Sequence, residues 1–350
     1  VLTATGAVSM HRVNFVCRRC RLGRHPLDER LGVRHSMSPQ AERLLCLAGA
    51  SWSFDCSAKY LKELCGLSVS DNTIREVCQK QAGTMAQWQR ESAEASQPFQ
   101  AAKGDVEFTT DGTCVNTWEG WREMRLGIFS KRLPGPPASA EQWSKRELPT
   151  AHVRLAFAAI EKSGRFGKRW SRWAQRLNLR DTACISVLAD GARWIWEETA
   201  MHFAGASEVL DIYHALEHVA DTAKVLYGEG TEAAKSWTDQ GRQTLLSKGW
   251  PGIFELILET RKTLTKNSHR RSLKALSGYL GYNSKRLVYA RRLAEGRSIG
   301  SGQAEGACKH MIGRRLKQTG ARWRFRRVNR MATVCCLLYS DHWDAYWART

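Results

Sequence analysis

No apolar run in the sequence approaches the roughly 18–20 residues that a membrane-crossing helix requires, so membrane contact is not expected. Val1 to Met10 lacks the basic start and apolar stretch of a secretion signal, and a chain that opens without Met reads as a fragment of a longer frame. Nor is there a Gly-x-x-x-x-Gly-Lys loop followed by Ser or Thr, so ATP is not implied. A disulfide framework is missing too. The 11 cysteines are scattered, and Cys46, Cys56, Cys65, Cys78, Cys308, Cys335 and Cys336 fall in apolar helical patterns, the habit of reduced, buried thiols.

The largest shortage is of acid. Against 54 Lys and Arg stand 34 Asp and Glu, a net charge of +20 in 350 residues. Such an excess points to a polyanionic partner, and its clustering points to nucleic acid. The length allows two or three domains.

Five segments follow from the patterning. Residues 1–36 are Arg-rich and hold Cys17-Arg-Arg-Cys20, half of a zinc site that His11, His25 or His35 could complete. Residues 37–100 read as helices: Ser38-Pro39 opens one, Asp55 to Cys65 carries Ala58, Leu61, Leu64 and Cys65 on one face, and Gly66 stops it. Ser70 or Asn72 then caps a helix with Ile74, Val77, Cys78 and Gln81 inward. This is the order of a helix-turn-helix reader, or of an ordinary helical hairpin. In the first case Asn72, Thr73, Arg75 and Lys80 face DNA.

Residues 101–215 turn to strands: Val106 to Thr113, a hairpin of Cys114 to Trp118 with Trp121 to Lys131, then His152 to Ala158. A basic helix over Lys162 to Leu177, a buried-type strand at Cys184 to Ala189 and a weaker one at Ser207 to Ile212 follow. Residues 216–295 are helical in pattern, and 296–350 open on a glycine-rich loop and return to helix. The expected class is α/β: an RNase H-like core interrupted by an all-helical insertion, preceded by the helix-turn-helix region and a partial zinc ribbon.

Three carboxylates stand out. Asp111 and Asp190 each follow an apolar run and precede a glycine, which places them at strand ends on the rim of a sheet. Glu305 shares a helical face with Cys308, Ile312 and Leu316, so it is expected to point at the sheet, unless it pairs with Lys309. Carboxylates so placed can hold paired Mg²⁺ or Mn²⁺ ions for in-line phosphoryl transfer. Behind Glu305 come Lys309, Arg314, Arg315, Lys317, Arg322, Arg324, Arg326, Arg327 and Arg330 with no acid among them, interleaved with Trp323 and Phe325. That tract is suited to neutralising phosphates.

Thr110-Asp-Gly-Thr113, Leu188-Ala-Asp-Gly-Ala192 with Trp194-Ile-Trp196, and Ile299-Gly-Ser-Gly-Gln-Ala-Glu305 through Gly320-Ala-Arg-Trp323 resemble DDE transposases of the Kra-type insertion-sequence family, relatives of the Mutator-like group. Pro26-Leu-Asp-Glu29, after the Cys17/Cys20 pair, resembles that family's zinc-ribbon region. The resemblance implies that Asp111, Asp190 and Glu305 form the metal-binding catalytic triad, with Mg²⁺ or Mn²⁺ there and Zn²⁺ at an incomplete N-terminal site. It also implies the RNase H-like fold, terminal inverted repeats and target DNA as partners, and a homodimer or higher oligomer assembled on DNA in a bacterial, nucleoid-associated cytoplasm. Asp211-Ile-Tyr-His214 is similar to the Asp-x-x-His element of Mutator-like transposases, which gives His214 a DNA-positioning role. The competing readings are an inactive transposase-derived DNA-binding regulator and an RNase H-like nuclease or resolvase.

Overall fold

The structure, a computed structural model, describes residues 1–349 and so all of the segments above except Thr350 at the end of the last. At the N-terminus two small ribbons pair β1 (Leu2–Thr3) with β2 (Gly6–Ala7) and β3 (Phe15–Val16) with β4 (Gly23–Arg24), before the short helix α1 (Pro26–Arg30). Three serines then start three helices. Ser38, Ser53 and Ser70 accept from the backbone N–H of Ala41, Cys56 and Thr73, beginning α2 (Pro39–Ser51), α3 (Phe54–Cys65) and α4 (Asp71–Glu91). Each such cap contributes about 1 kcal/mol. Gly66, at φ +66°, ends α3 in the left-handed conformation that its missing Cβ permits. The inward residues of α4 are those its spacing indicates, Ile74, Val77, Cys78 and Gln81. On α3, however, Leu64 and Cys65 are exposed and Cys56 is only partly covered, because α2 and α4 both pack on the face around Ser57 and Leu61 and leave the other side to solvent.

After α5 (Gln97–Ala101) come five strands: β5 (Asp105–Thr117), β6 (Gly120–Arg132), β7 (Val153–Ala159), β8 (Ile185–Ala189) and β9 (Ser207–Leu210). They form one sheet in the order β7-β6-β5-β8-β9, in which β6 is antiparallel to both neighbours and β8 is parallel to both of its own. The class is therefore α/β. One expectation fails here: Val106 to Thr113 and Cys114 to Trp118 are not two strands but the single 13-residue β5. Strand β6 follows it residue by residue to Thr117 opposite Gly120, so no break is needed after Thr113.

Side chains alternate across the sheet and separate two cores. Phe108, Phe129 and Phe157 pack on one face with Trp170 of α6 (Ser163–Arg176), Trp196 of α7 (Arg193–His202) and Phe203. The other face carries Val115, Leu126, Ile128 and Ala156, and it joins α2, α3 and α4 in one hydrophobic cluster. The N-terminal helices thus share a core with the sheet.

Beyond β9 the chain is helical: α8 (Ile212–Tyr227), α9 (Glu232–Thr263), α10 (Asn267–Tyr282) and α11 (Tyr289–Ala294). Helix α9 kinks at Gly249, whose φ of 59° is non-helical, just before Pro251, which has no N–H to continue the ladder. A glycine-rich loop leads to α12 (Gly302–Ala307), a π-helical turn over 308–313 and α13 (Arg314–Leu316). Helices α14 (Phe325–Tyr339) and α15 (Trp343–Ala348) close the chain against α4, β7 and the second core.

Candidate functional site

The register of β5 and β8 brings two carboxylates together. Thr109 lies opposite Leu188 in the parallel ladder; carried two residues further, the same register sets Asp111 level with Asp190, just past the end of β8 at Ala189. Asp111 is thus in the interior of β5 rather than at a strand end. Gly112 is not a turn glycine either, since it stays in the ladder opposite Arg125. What opens the sheet beside Asp111 is the end of the neighbouring strand. Asp190 does occupy a turn: Gly191 has φ +92°, and the Asp190 carboxylate accepts from the Ala192 N–H at 3.0 Å.

Glu305 departs from expectation. Its side chain is 59% exposed and forms an ion pair with Lys309 at 2.5 Å. Ala304, Ala307, Cys308 and Met311 fill the buried stripe of this helix, and the π turn that begins at Cys308 breaks the α-helical spacing that aligned Glu305 with Ile312 and Leu316. The glutamate therefore lies at the edge of the buried stripe, where solvent and Lys309 reach it.

Its charge still registers at Asp111. Burial pushes the Asp111 carboxyl above the usual carboxylate range; the Gly112 N–H and the Cys308 thiol hold it down, while the charges of Asp190 and Glu305 push it further up. Asp111 accepts from that Gly112 N–H at 2.6 Å. Burial and the Asp111 charge in turn push the Cys308 thiol far up, so it stays protonated and can donate. Neither aspartate has an ion-pair partner among the described residues. Two carboxylates without a protein cation, beside a third balanced only by the exposed Lys309, offer hard oxygen donors that suit a divalent cation such as Mg²⁺. Among the described residues no three His, Cys, Asp or Glu side chains are drawn in to metal-ligating distance. Cys17 and Cys20 are exposed in the turn between β3 and β4, where hydrogen bonds from Cys20 lower the Cys17 thiol.

The basic residues separate into groups. Lys317 donates to the Thr113 hydroxyl at 3.0 Å, two residues along the strand from Asp111. The Arg322 guanidinium lies over Trp118 at 4.8 Å, and parallel bridging of Thr117 to Trp323 pins this part of the tail to the end of β5. Arg314, Arg324 and Arg326 are exposed, as is Lys80, while Arg327 and Arg75 are partly covered. Arg315, expected among the DNA-facing cations, points inward instead. It is 3% exposed, donates to the Gly49 carbonyl at 2.5 Å and lies over the rings of Phe54 and Trp323 at 4.6 and 5.1 Å, so it ties α13 to the N-terminal helices and faces no ligand. Lys309 is engaged by Glu305.

His214 is in the first turn of α8, and Asp211 caps that turn. Its Nδ1 is 3.3 Å from Glu217, and its ring meets His218 at 5.2 Å. His218 packs on Tyr279 at 3.9 Å, and Tyr279 donates to the Asp190 carbonyl at 3.1 Å. Sequence reasoning missed Tyr279, because nothing in a helical pattern 89 residues downstream marks it as a neighbour of Asp190. It also missed the second role of Asp211, which accepts from both the N–H and the hydroxyl of Ser301 and so fastens the loop leading to Glu305.

The candidate site thus sets Asp111 of β5 level with Asp190, just past the end of the parallel strand β8, with Glu305 on α12, which packs against β5 and β6. The chain matches no protein-family model and no curated protein. No helix among the described residues is long and apolar enough to cross a membrane.

Proposed function

We propose that this protein is a DNA-cleaving and DNA-joining enzyme of the DDE transposase kind, using Asp111, Asp190 and Glu305 for metal-dependent phosphoryl transfer. The observation that carries the reading is the registration of Asp111 with Asp190, with the Glu305 charge reaching the same carboxyl. The sheet order, with its second strand antiparallel to the rest, supports an RNase H-like core. The helices between β9 and α12 would be its insertion.

Asp111 and Asp190 would hold Mg²⁺ or Mn²⁺ from the sheet and Glu305 from the helix, released from Lys309. Bound there, the metal would activate a water or 3′-hydroxyl and stabilise the leaving oxygen. The residues themselves do the rest. Cys308 and the Gly112 N–H orient the Asp111 carboxylate, Tyr279 holds the Asp190 backbone, and Lys317 sits where a phosphate entering beside Asp111 would be neutralised. The surplus of positive charge would supply affinity for terminal repeats and target DNA. His214 would position DNA beside Asp190.

The Glu305–Lys309 pair also favours a second reading, a DNA-binding regulator in which Lys309 replaces the metal as the partner of Glu305. An end-cleavage and strand-transfer assay with Mg²⁺ and the element's terminal repeats separates the two. Transposase activity requires joined products that vanish in Asp111→Asn, Asp190→Asn and Glu305→Gln while repeat binding persists. Repeat binding with no joining by the unaltered chain supports the regulator. Hydrolysis of branched or hybrid substrates without end joining would instead indicate a nuclease.

A further inference from the structure

Helix α4 packs alongside α14, and where the first turn of α14 meets α4 there is an open cleft of about 650 Å³. Arg75, Gln79 and Lys80 line it from one side, Arg324, Arg327 and Arg330 from the other. None of these five cations has an ion-pair partner among the described residues, although Glu76 lies in the same wall. Five cations gathered around one carboxylate still repel one another on balance, and a polyanion relieves that cost. The N–H groups of the first turn of α14 add to the attraction, because Arg324 at its N-cap offers them no side-chain acceptor.

A second feature narrows the ligand. Gln79 is 8% exposed, and its amide nitrogen is spent on the Arg327 carbonyl at 3.1 Å. Its amide oxygen is buried in the cleft wall with no partner. A buried acceptor left unmatched costs about 1–3 kcal/mol, so an occupant that donates to this oxygen on a small shift of the side chain gains affinity beyond that of its negative charge. Inorganic phosphate keeps a P–OH donor at neutral pH but is a single anion among several cations, whereas a nucleic acid offers a row of phosphates beside base amino groups. The exposed side of α4 has the form that enters the major groove of a DNA duplex, while the deep, narrow groove of duplex RNA excludes a helix.

We propose that this cleft seats one backbone segment of a DNA duplex: its cations and the α14 N-terminus hold phosphates, and Gln79 accepts from a base edge. The inference rests on the nucleic-acid half of the function proposed above and not on the carboxylates.

The test is binding of a fluorescent DNA duplex by the full chain across a salt series. Each phosphate contact adds about 0.9 to the slope of log affinity against log salt. The variant Arg75→Ala/Lys80→Ala/Arg330→Ala should lower that slope by about 2–3 and weaken binding at least tenfold, similarly for different sequences. Because Lys80 is exposed, Lys80→Gln alone should fold normally and lower the slope by about 0.9. Gln79→Glu should weaken binding further than removal of Lys80. An unchanged slope in a variant with native melting behaviour overturns the cleft. A greater loss for duplex RNA or single-stranded DNA of the same length overturns its assignment to duplex DNA. Asp111→Asn should keep the full slope. If the unaltered chain binds duplex but never joins ends, the transposase reading fails while the cleft stands. Joining that persists with an unchanged slope in the triple variant sinks the cleft alone.

Discussion

The phenol of Tyr279 donates to the main-chain carbonyl of Asp190 at 3.1 Å. Tyr289 does the same for the Leu210 carbonyl at 3.0 Å. Two tyrosines from the helices after β9 thus hold the chain where β8 and β9 leave the sheet. Burial, with the charges of Asp190 and Asp211, pushes the Tyr279 phenol far up, so it remains a donor throughout the working pH range. Tyr279→Phe should cost about 1 kcal/mol of stability and slow strand cleavage several-fold with DNA affinity unchanged. Denaturant unfolding and single-turnover cleavage check the two halves.

Gly191 and Gly112 follow the two aspartates but are not equivalent. A Cβ at Gly191 would face a φ of +92° and stand 2.7 Å from both Leu210 Cδ1 and Tyr279 Oη. Gly191→Ala should therefore destabilise by about 1–3 kcal/mol. At Gly112 the φ is ordinary and the added atom meets the end of the Glu123 side chain, which can swing away. Gly112→Ala should cost less, and equal losses in paired unfolding curves would contradict this difference.

Asp111 gives the protein a pH signature. Its carboxyl binds a proton more tightly folded than unfolded, because burial and the charges of Asp190 and Glu305 raise it. The contribution to stability is present below the unfolded carboxylate pKa and is lost as pH rises through the raised folded value. Without metal at neutral pH, Asp111→Asn should thus raise the melting temperature. Mg²⁺ titrations should show affinity strengthening with pH through the folded pKa, and Glu305→Gln should move that transition to lower pH.

Arg314 and Arg315 are adjacent and opposite in role. Arg315→Ala strands the Gly49 carbonyl and removes a guanidinium from between two rings, at a cost of about 2–4 kcal/mol. DNA affinity per folded molecule should not change. Arg314→Ala, at an exposed position, should leave melting untouched and weaken DNA binding at low salt.

Much of the architecture could be read from local chemistry. Serine caps at Ser38, Ser53 and Ser70, the glycine stop at Gly66 and the apolar run before Asp190 act within a few residues, so the helices from Pro39 to Glu91 and the β8 strand follow from neighbours along the chain. So does the positive φ at Gly191, which leaves Asp190 in a turn.

What the sequence determined by itself was the inventory: three acids in distinct settings, a surplus of cations and an α/β order of elements. Tertiary structure decided which of these face one another. Parallel register, set by hydrogen bonds between strands far apart in sequence, made Asp111 and Asp190 neighbours. A π turn, which the α-helical period does not anticipate, put Glu305 in solvent with Lys309. Packing against α2 and α3 took Arg315 out of the basic tract, while the contact of α4 with α14 joined Arg75 and Lys80 to arginines some 250 residues away in one cleft.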